Sequence, residues 1–191
     1  MRNVGALILA AGGSKRFGKP KQFLQFEGET LLRRIAKAAH DAGCAPIVVV
    51  AGDFSDRVSA ELHDLPVQVV QNAEWRAGLG TSIKCGLARL RNAVPAIVIL
   101  ACDQPFVSAE IIRKICGEQR PIVACGYAET IGVPALFDSR YFDALASLSD
   151  TAGAKSLIEA HAADVAVVPF PEGVIDIDTP ADYEALRRRL P

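Results

Sequence analysis

Short unbroken apolar runs alternate along the chain with amphipathic segments. This alternation constrains the fold more than any other feature. Residues 4–10 (VGALILA), 47–51 (IVVVA), 67–70, 96–101 (AIVILA) and 121–125 read as buried strands. Residues 30–42 read as a helix, with Thr30 as N-cap, apolar residues at 31, 32, 35, 36, 38 and 39, and Gly43 as the stop. Further helices are predicted over 56–63, from a cap at Thr81 or Ser82 to about 91, and from a Ser108 cap to about 116. The last third is less regular: strands at 133–137, 165–168 and 174–177, helices at 140–147 and 154–162, and a final helix over 181–190 with Pro180 in its first turn. Strands and helices at this spacing imply parallel βαβ units with right-handed crossovers. The expected fold class is therefore α/β, a doubly wound, mostly parallel sheet. The length of 191 residues fits a single domain spanning 1–191.

Composition narrows the function. The 21 Lys+Arg against 22 Asp+Glu give a net charge of −1, which argues against a nucleic-acid partner. No apolar stretch approaches about 18 residues, so no membrane partner is expected, and the opening run reads as a strand rather than a signal peptide. The five cysteines include no C-x-x-C pair, which suggests neither a zinc site nor a disulfide framework and fits a reducing, cytoplasmic setting.

In doubly wound sheets ligands bind beyond the carboxyl ends of the strands. After the first strand come Gly12, Gly13 and Gly18 interleaved with Lys15, Arg16, Lys19 and Lys21. Glycines let a backbone approach a ligand, and the cations can neutralise phosphate oxygens. The same stretch also reads as a flexible basic loop. It is not a P-loop, because no G-x-x-x-x-G-K-[ST] is present, and it is not a dinucleotide fingerprint, because the glycine spacing is wrong and no helix follows the glycines directly. After the fourth strand stands Asp103, which reads as a functional carboxylate or as the cap of a turn. Near the end, Asp176 and Asp178 are two apart, on one face if 174–177 is a strand. Either Asp178 or Thr179 could cap the last helix, which leaves Asp176 unexplained. Gly78 and Gly80 precede Thr81 and Ser82 at a helix start, an anion-accepting geometry. Trp75 reads first as a loop anchor. Cations for phosphates together with carboxylates for Mg²⁺ are what phosphoryl or nucleotidyl transfer requires.

These residues resemble a known family. LAAGGSKRFGKPKQFL (9–24), NAEWRAGLGTSIKCGL (72–87) and LACDQPFV (100–107) are similar to the signatures of MobA-like nucleotidyltransferases. GVPALF, DTAGAK and DIDTPADY follow in the order of the molybdenum cofactor cytidylyltransferase branch. The resemblance implies a Rossmann-like three-layer sandwich with a mostly parallel sheet and one reversed strand. It implies transfer of a nucleoside monophosphate onto a phosphorylated acceptor such as molybdopterin, releasing pyrophosphate. By motif position, Arg16, Lys21 and Asp103 would be catalytic, and Asp103 and Asp178 would bind Mg²⁺. Ala10, Ala11, Gly12, Gly13, Ser14, Lys21, Gly80 and Ser82 would contact the nucleotide. Ala11 makes the opening LAAG rather than LAGG, which favours CTP over GTP. The implied partners are a nucleoside triphosphate, the small-molecule acceptor, and transiently a molybdoenzyme or its chaperone. Rival readings are a methylerythritol-phosphate cytidylyltransferase, a sugar-phosphate nucleotidyltransferase, and a non-catalytic accessory protein of molybdoenzyme maturation.

Overall fold

A computed structural model describes residues 2–13, 17–177 and 179–188. The strands are β1 (Val4–Ala10), β2 (Gln25–Phe26), β3 (Glu29–Thr30), β4 (Ile47–Ala51), β5 (Val67–Gln71), β6 (Ala96–Ala101), β7 (Ile122–Tyr127), β8 (Thr130–Asp138) and β9 (Val165–Pro169). The helices are α1 (Leu31–Asp41), α2 (Ser55–Glu61), α3 (Leu79–Leu90), α4 (Ala109–Gly117), α5 (Phe142–Ala146), α6 (Ala154–Ala160) and α7 (Pro180–Arg187). Seven strands form one sheet in the order β5-β4-β1-β6-β8-β7-β9. Only β8 runs against its neighbours; β1 pairs in parallel with β4 and β6, and β7 with β9.

Strand periodicity divides the core between the two faces. Ala6, Ile8, Val49, Val98 and Leu100 pack on one face with Leu32, Ile35, Val58 and Ile112, the layer of α1, α2 and α4. Leu7, Val48, Val50, Ile97 and Ile99 pack on the other with Ile83, Leu87, Leu145 and Ile158, the layer of α3, α5 and α6. The architecture is thus a three-layer sandwich with one reversed strand. In α1, the apolar positions read from the sequence are the buried ones, and Thr30 caps it by accepting from the Arg33 amide at 3.1 Å. Ser108 caps α4 in the same way, through the Ile111 amide.

Two expectations are corrected. Helix α3 begins at Leu79 with Gly78 as N-cap, ahead of Thr81 and Ser82. Both of those side chains are instead bonded to Asn72. The expected strand at 174–177 does not form: residues Pro171–Val174 make a 3-10 turn, and the chain then runs on without a ladder partner. Asp176 therefore lies on no strand face. Asp178 lies outside the described residues, and Thr179 is the cap of α7, in a reciprocal capping box with Asp182.

A satellite cluster not legible beforehand fastens the C-terminal segment. Phe17, Leu24, Phe26 and Leu31 pack with Ile177 and Leu186, around the two-stranded β2–β3 hairpin. Tyr183 adds a hydrogen bond to the Gln25 carbonyl at 2.8 Å.

Gly86 lets α3 settle onto the sheet: a Cβ there would stand 2.8 Å from Val50 Cγ2 and would also collide with Leu7. Gly86→Val should lower the free energy of unfolding by about 1–3 kcal/mol through overpacking, read from the urea midpoint at constant m-value.

Candidate functional site

Register makes the carboxyl ends of the central strands level. Ala10 lies opposite Ala51, and Leu9 opposite Ala101. The loops after β1, β4 and β6 therefore leave at one edge, where α3 also begins after β5. The β7–β8 turn lies at the same edge, because β7 is parallel to β9 and β8 is reversed.

The loop after β1 forms a wall of a cleft. Ala11, Gly12 and Gly13 line a cavity of about 270 Å³ with Trp75, Arg76, Gly78, Leu79 and Ser82. A second cavity of about 190 Å³ shares Ala11, Gly12, Gly13 and Trp75 with the first and is lined also by Ala10, Gln22, Gly52, Asp53 and Phe54. Among the described residues nothing stands within 4 Å of where a Gly12 Cβ would lie, which leaves its backbone open to a ligand. At Gly13 a Cβ would stand 2.6 Å from Trp75 Cζ3, and at Gly52 one would stand 3.0 Å from the same indole. Both glycines are thus required by the ring. Trp75 Nε1 donates to Asp53 Oδ1 at 2.9 Å, Arg76 pairs with the same carboxylate, and its guanidinium stacks 4.6 Å from the indole centroid. Trp75 is the anchor that the sequence suggested, and it is also a wall of the cleft.

The α3 end of the cleft is held by buried polar contacts. Asn72 Nδ2 donates to Thr81 Oγ1 at 2.9 Å and Ser82 Oγ at 3.0 Å, and its Oδ1 accepts from the Glu74 amide. Gly78, at φ +140°, and Gly80 pack against the backbone of 149–152. The Gly80 amide donates to the Asp150 carbonyl at 2.8 Å. Gly80 thus faces the 149–152 loop, whereas Ser82 lines the cleft.

The charged part of the site lies beyond β6. Lys21 Nζ stands 3.2 Å from Asp103 Oδ2, with the two side chains 13% and 30% exposed. Lys21 belongs to the 3-10 turn Lys21–Phe23. The Ile177 amide donates to the Asp103 carbonyl at 3.0 Å, which brings the Asp176 segment beside the β6 loop. Next to Asp103, Gln104 is buried, and its Nε2 donates to the Val133 carbonyl at 3.0 Å. Tyr127 donates to the same carbonyl at 3.2 Å. Burial raises the Tyr127 pKa, the nearby Cys125 and Asp176 add to it, and the Gln104 side chain opposes it in part, so the net shift is upward and the hydroxyl stays a donor at neutral pH. Burial, with Asp103 adjacent, pushes the Cys102 thiol up to about 12.

The donor set suits a hard cation. Asp103 offers carboxylate oxygens, and one of them already meets an ammonium. Mg²⁺ is held through one or two carboxylates and substrate phosphates rather than by an all-protein cage. Among the described residues no group of three His, Cys, Asp or Glu gathers as a cage would need.

The structure brings together Ala10, Ala11, Gly12, Gly13 and Ser82 at the cleft, and Lys21 with Asp103 at the β6 loop. Ser14, Lys15, Arg16 and Asp178 lie outside the described residues. Sequence reasoning missed Gln22, Asp53, Gln104 and Tyr127. Asp53 follows a strand, and the rule of looking past each strand end would have found it. Gln104 sits beside Asp103, but its contact with Val133 is tertiary.

The MobA-like NTP transferase domain matches residues 6–165. The chain belongs to this family. It is 31% identical over 163 residues to the nicotine blue oxidoreductase of Paenarthrobacter nicotinovorans, covering 80% of this chain and 79% of that protein. It is 29% identical over 120 residues to a probable molybdenum cofactor guanylyltransferase of Bacillus cytotoxicus, covering 62% and 58%. The crystal structure of Rv0371c from Mycobacterium tuberculosis superposes with a TM-score of 0.82 at 30% identity over the full length of both chains. That protein was also crystallised with manganese, and this form matches with a TM-score of 0.79 at 28% identity.

Trp75 is the only tryptophan, so its emission reports on the cleft. Titration with a nucleoside triphosphate should change that emission. Gly13→Ala, which drives a methyl into the indole, should weaken the apparent affinity about tenfold or more, the equivalent of about 1–3 kcal/mol of overpacking.

Proposed function

We propose that the chain, acting as a single domain, is a Mg²⁺-dependent cytidylyltransferase that moves CMP from CTP onto a phosphorylated acceptor of the molybdopterin class and releases pyrophosphate. The observation that carries this reading is the Lys21–Asp103 pair, set beyond β6 on the edge where the Gly12–Gly13 backbone lines an open cleft. Ala11 supports CTP over GTP by the family's LAAG pattern. The guanylyltransferase relative supports a molybdenum cofactor acceptor.

The chemistry needs no nucleophilic side chain, because the acceptor phosphate is already an anion. The barrier is repulsion between anions and their alignment. Ala11, Gly12 and Gly13 would seat base and ribose against backbone. Lys21 would leave its contact with Asp103 for the triphosphate and offset charge on the departing pyrophosphate. Asp103, with Asp178, would hold the Mg²⁺. The Mg²⁺ would supply Lewis-acid neutralisation of phosphate charge. The Ile177–Asp103 hydrogen bond would keep the two aspartate segments adjacent.

The test is pyrophosphate release with each of four nucleoside triphosphates, crossed with molybdopterin, methylerythritol phosphate, hexose 1-phosphates and simple phosphates. Release with CTP and molybdopterin alone is the expected result. No release under any pairing would sink the reading. Asp103→Ala should lower metal-dependent release by about 10²–10³-fold while the urea midpoint stays near wild type. Lys21→Ala should weaken binding of CTP far more than of CMP in titration calorimetry; equal losses would remove Lys21 from the triphosphate.

A further inference from the structure

Strand β8 carries an irregularity where it faces β7: Ala124 pairs with Ala135, but Cys125 pairs with Gly132. Val133 and Pro134 are thus extra residues on β8. The Val133 carbonyl, which pairs in neither register, instead accepts from both Gln104 and Tyr127. A carbonyl has two lone pairs, so one oxygen can serve both donors. Bulges commonly stand beside active sites, where they redirect groups out of the ladder.

Each donor leads to one of the two segments that bear the acidic residues. Gln104 adjoins Asp103 in the chain. The Tyr127 ring is walled by glycines: a Cβ on Gly173 would stand 2.6 Å from its Cδ1, and one on Gly132 would stand 2.6 Å from its hydroxyl. Gly173 belongs to the 3-10 turn that feeds the Asp176–Ile177 segment, and the turn is tied back to the sheet by the Phe170 amide on the Gly126 carbonyl at 2.8 Å. Gln104 is only 7% exposed, yet its Oε1 is buried without a hydrogen-bond partner among the described residues. Its side-chain amide reaches the Val133 carbonyl, so Gln104 ties the loop that carries Asp103 to the β8 bulge.

We propose that Gln104 and Tyr127 are positioning residues for divalent-cation binding at Asp103. Joined through the Val133 carbonyl, they hold the Asp103 loop and the Asp176–Ile177 segment at a fixed separation. Neither touches the reacting atoms. Groups that orient metal ligands in this way cost about 10–100-fold in affinity when removed. The inference rests on the nucleotidyl-transfer reading above.

The test uses the full chain with CTP, and Mn²⁺ as the paramagnetic probe. Free and bound Mn²⁺ are measured by electron paramagnetic resonance for wild type, Tyr127→Phe, Gln104→Met and the double variant. Each single variant should weaken Mn²⁺ about tenfold or more. The double variant should lose no more than the weaker-binding single, because both side chains act through one oxygen. CTP affinity in EDTA, measured by calorimetry, should stay unchanged, as should the urea midpoint. Tyr127→Phe keeps the ring between its two glycines and decides the matter if Gln104→Met folds poorly. Wild-type Mn²⁺ affinity in Tyr127→Phe would overturn this inference alone. Absence of Mn²⁺ binding by the wild-type chain would overturn the nucleotidyl-transfer reading and this one with it.

Discussion

Parallel pairing of β1 between β4 and β6 is the constraint on which the rest depends. The apolar residues of these strands can be buried on both faces only if helices cover both, and each crossover then returns the chain to the same starting edge. The carboxyl ends accumulate at the opposite edge, with Ala10, Ala51 and Ala101 level or nearly so. Loops that are far apart in sequence are thereby presented side by side. The glycines after β1, Asp53 after β4 and Asp103 after β6 become neighbours because the core requires it.

The strand ends alone do not complete the site. Its last segment comes from the C-terminal part of the chain, which has no ladder to hold it beside β6. Two interactions of different kinds take that role. Ile177 is wholly buried in the cluster around the β2–β3 hairpin, and its amide bonds to the Asp103 carbonyl. Apolar burial draws the segment in without direction. The hydrogen bond then fixes which residue lies beside Asp103. Since the same cluster contains Phe17 and Leu24, it also braces the run that carries Lys21.

Much of this was legible in the sequence, and the limits have physical reasons. The strands at 4–10, 47–51 and 96–101 appear with those bounds, because unbroken apolar runs between glycines and polar turns leave little alternative. The caps at Thr30 and Ser108 were legible because capping depends on three adjacent peptide groups. The start of α3 was misplaced because Thr81 and Ser82 are good caps by type, yet Asn72 claims both hydroxyls from a distance. The run at 174–177 looked like a strand by composition. It forms none because β9 already occupies the edge beside β7, and Ile177 is drawn instead to a satellite cluster.

The chain's own order of residues determined the layers of the fold, the glycine-rich loop, and the presence of lysine after the first strand and of aspartate after the strand at 96–101. These follow from period, turn chemistry and residue type, all of which act over a few neighbouring residues. Only the tertiary structure decided that Lys21 meets Asp103, that Trp75 stands between Gly13 and Gly52, and that Gln104 and Tyr127 share one carbonyl. Each of those contacts depends on strand register, on a bulge in β8, or on the closeness with which two backbones can approach. Such quantities are set by packing between segments that sequence neighbourhood does not join.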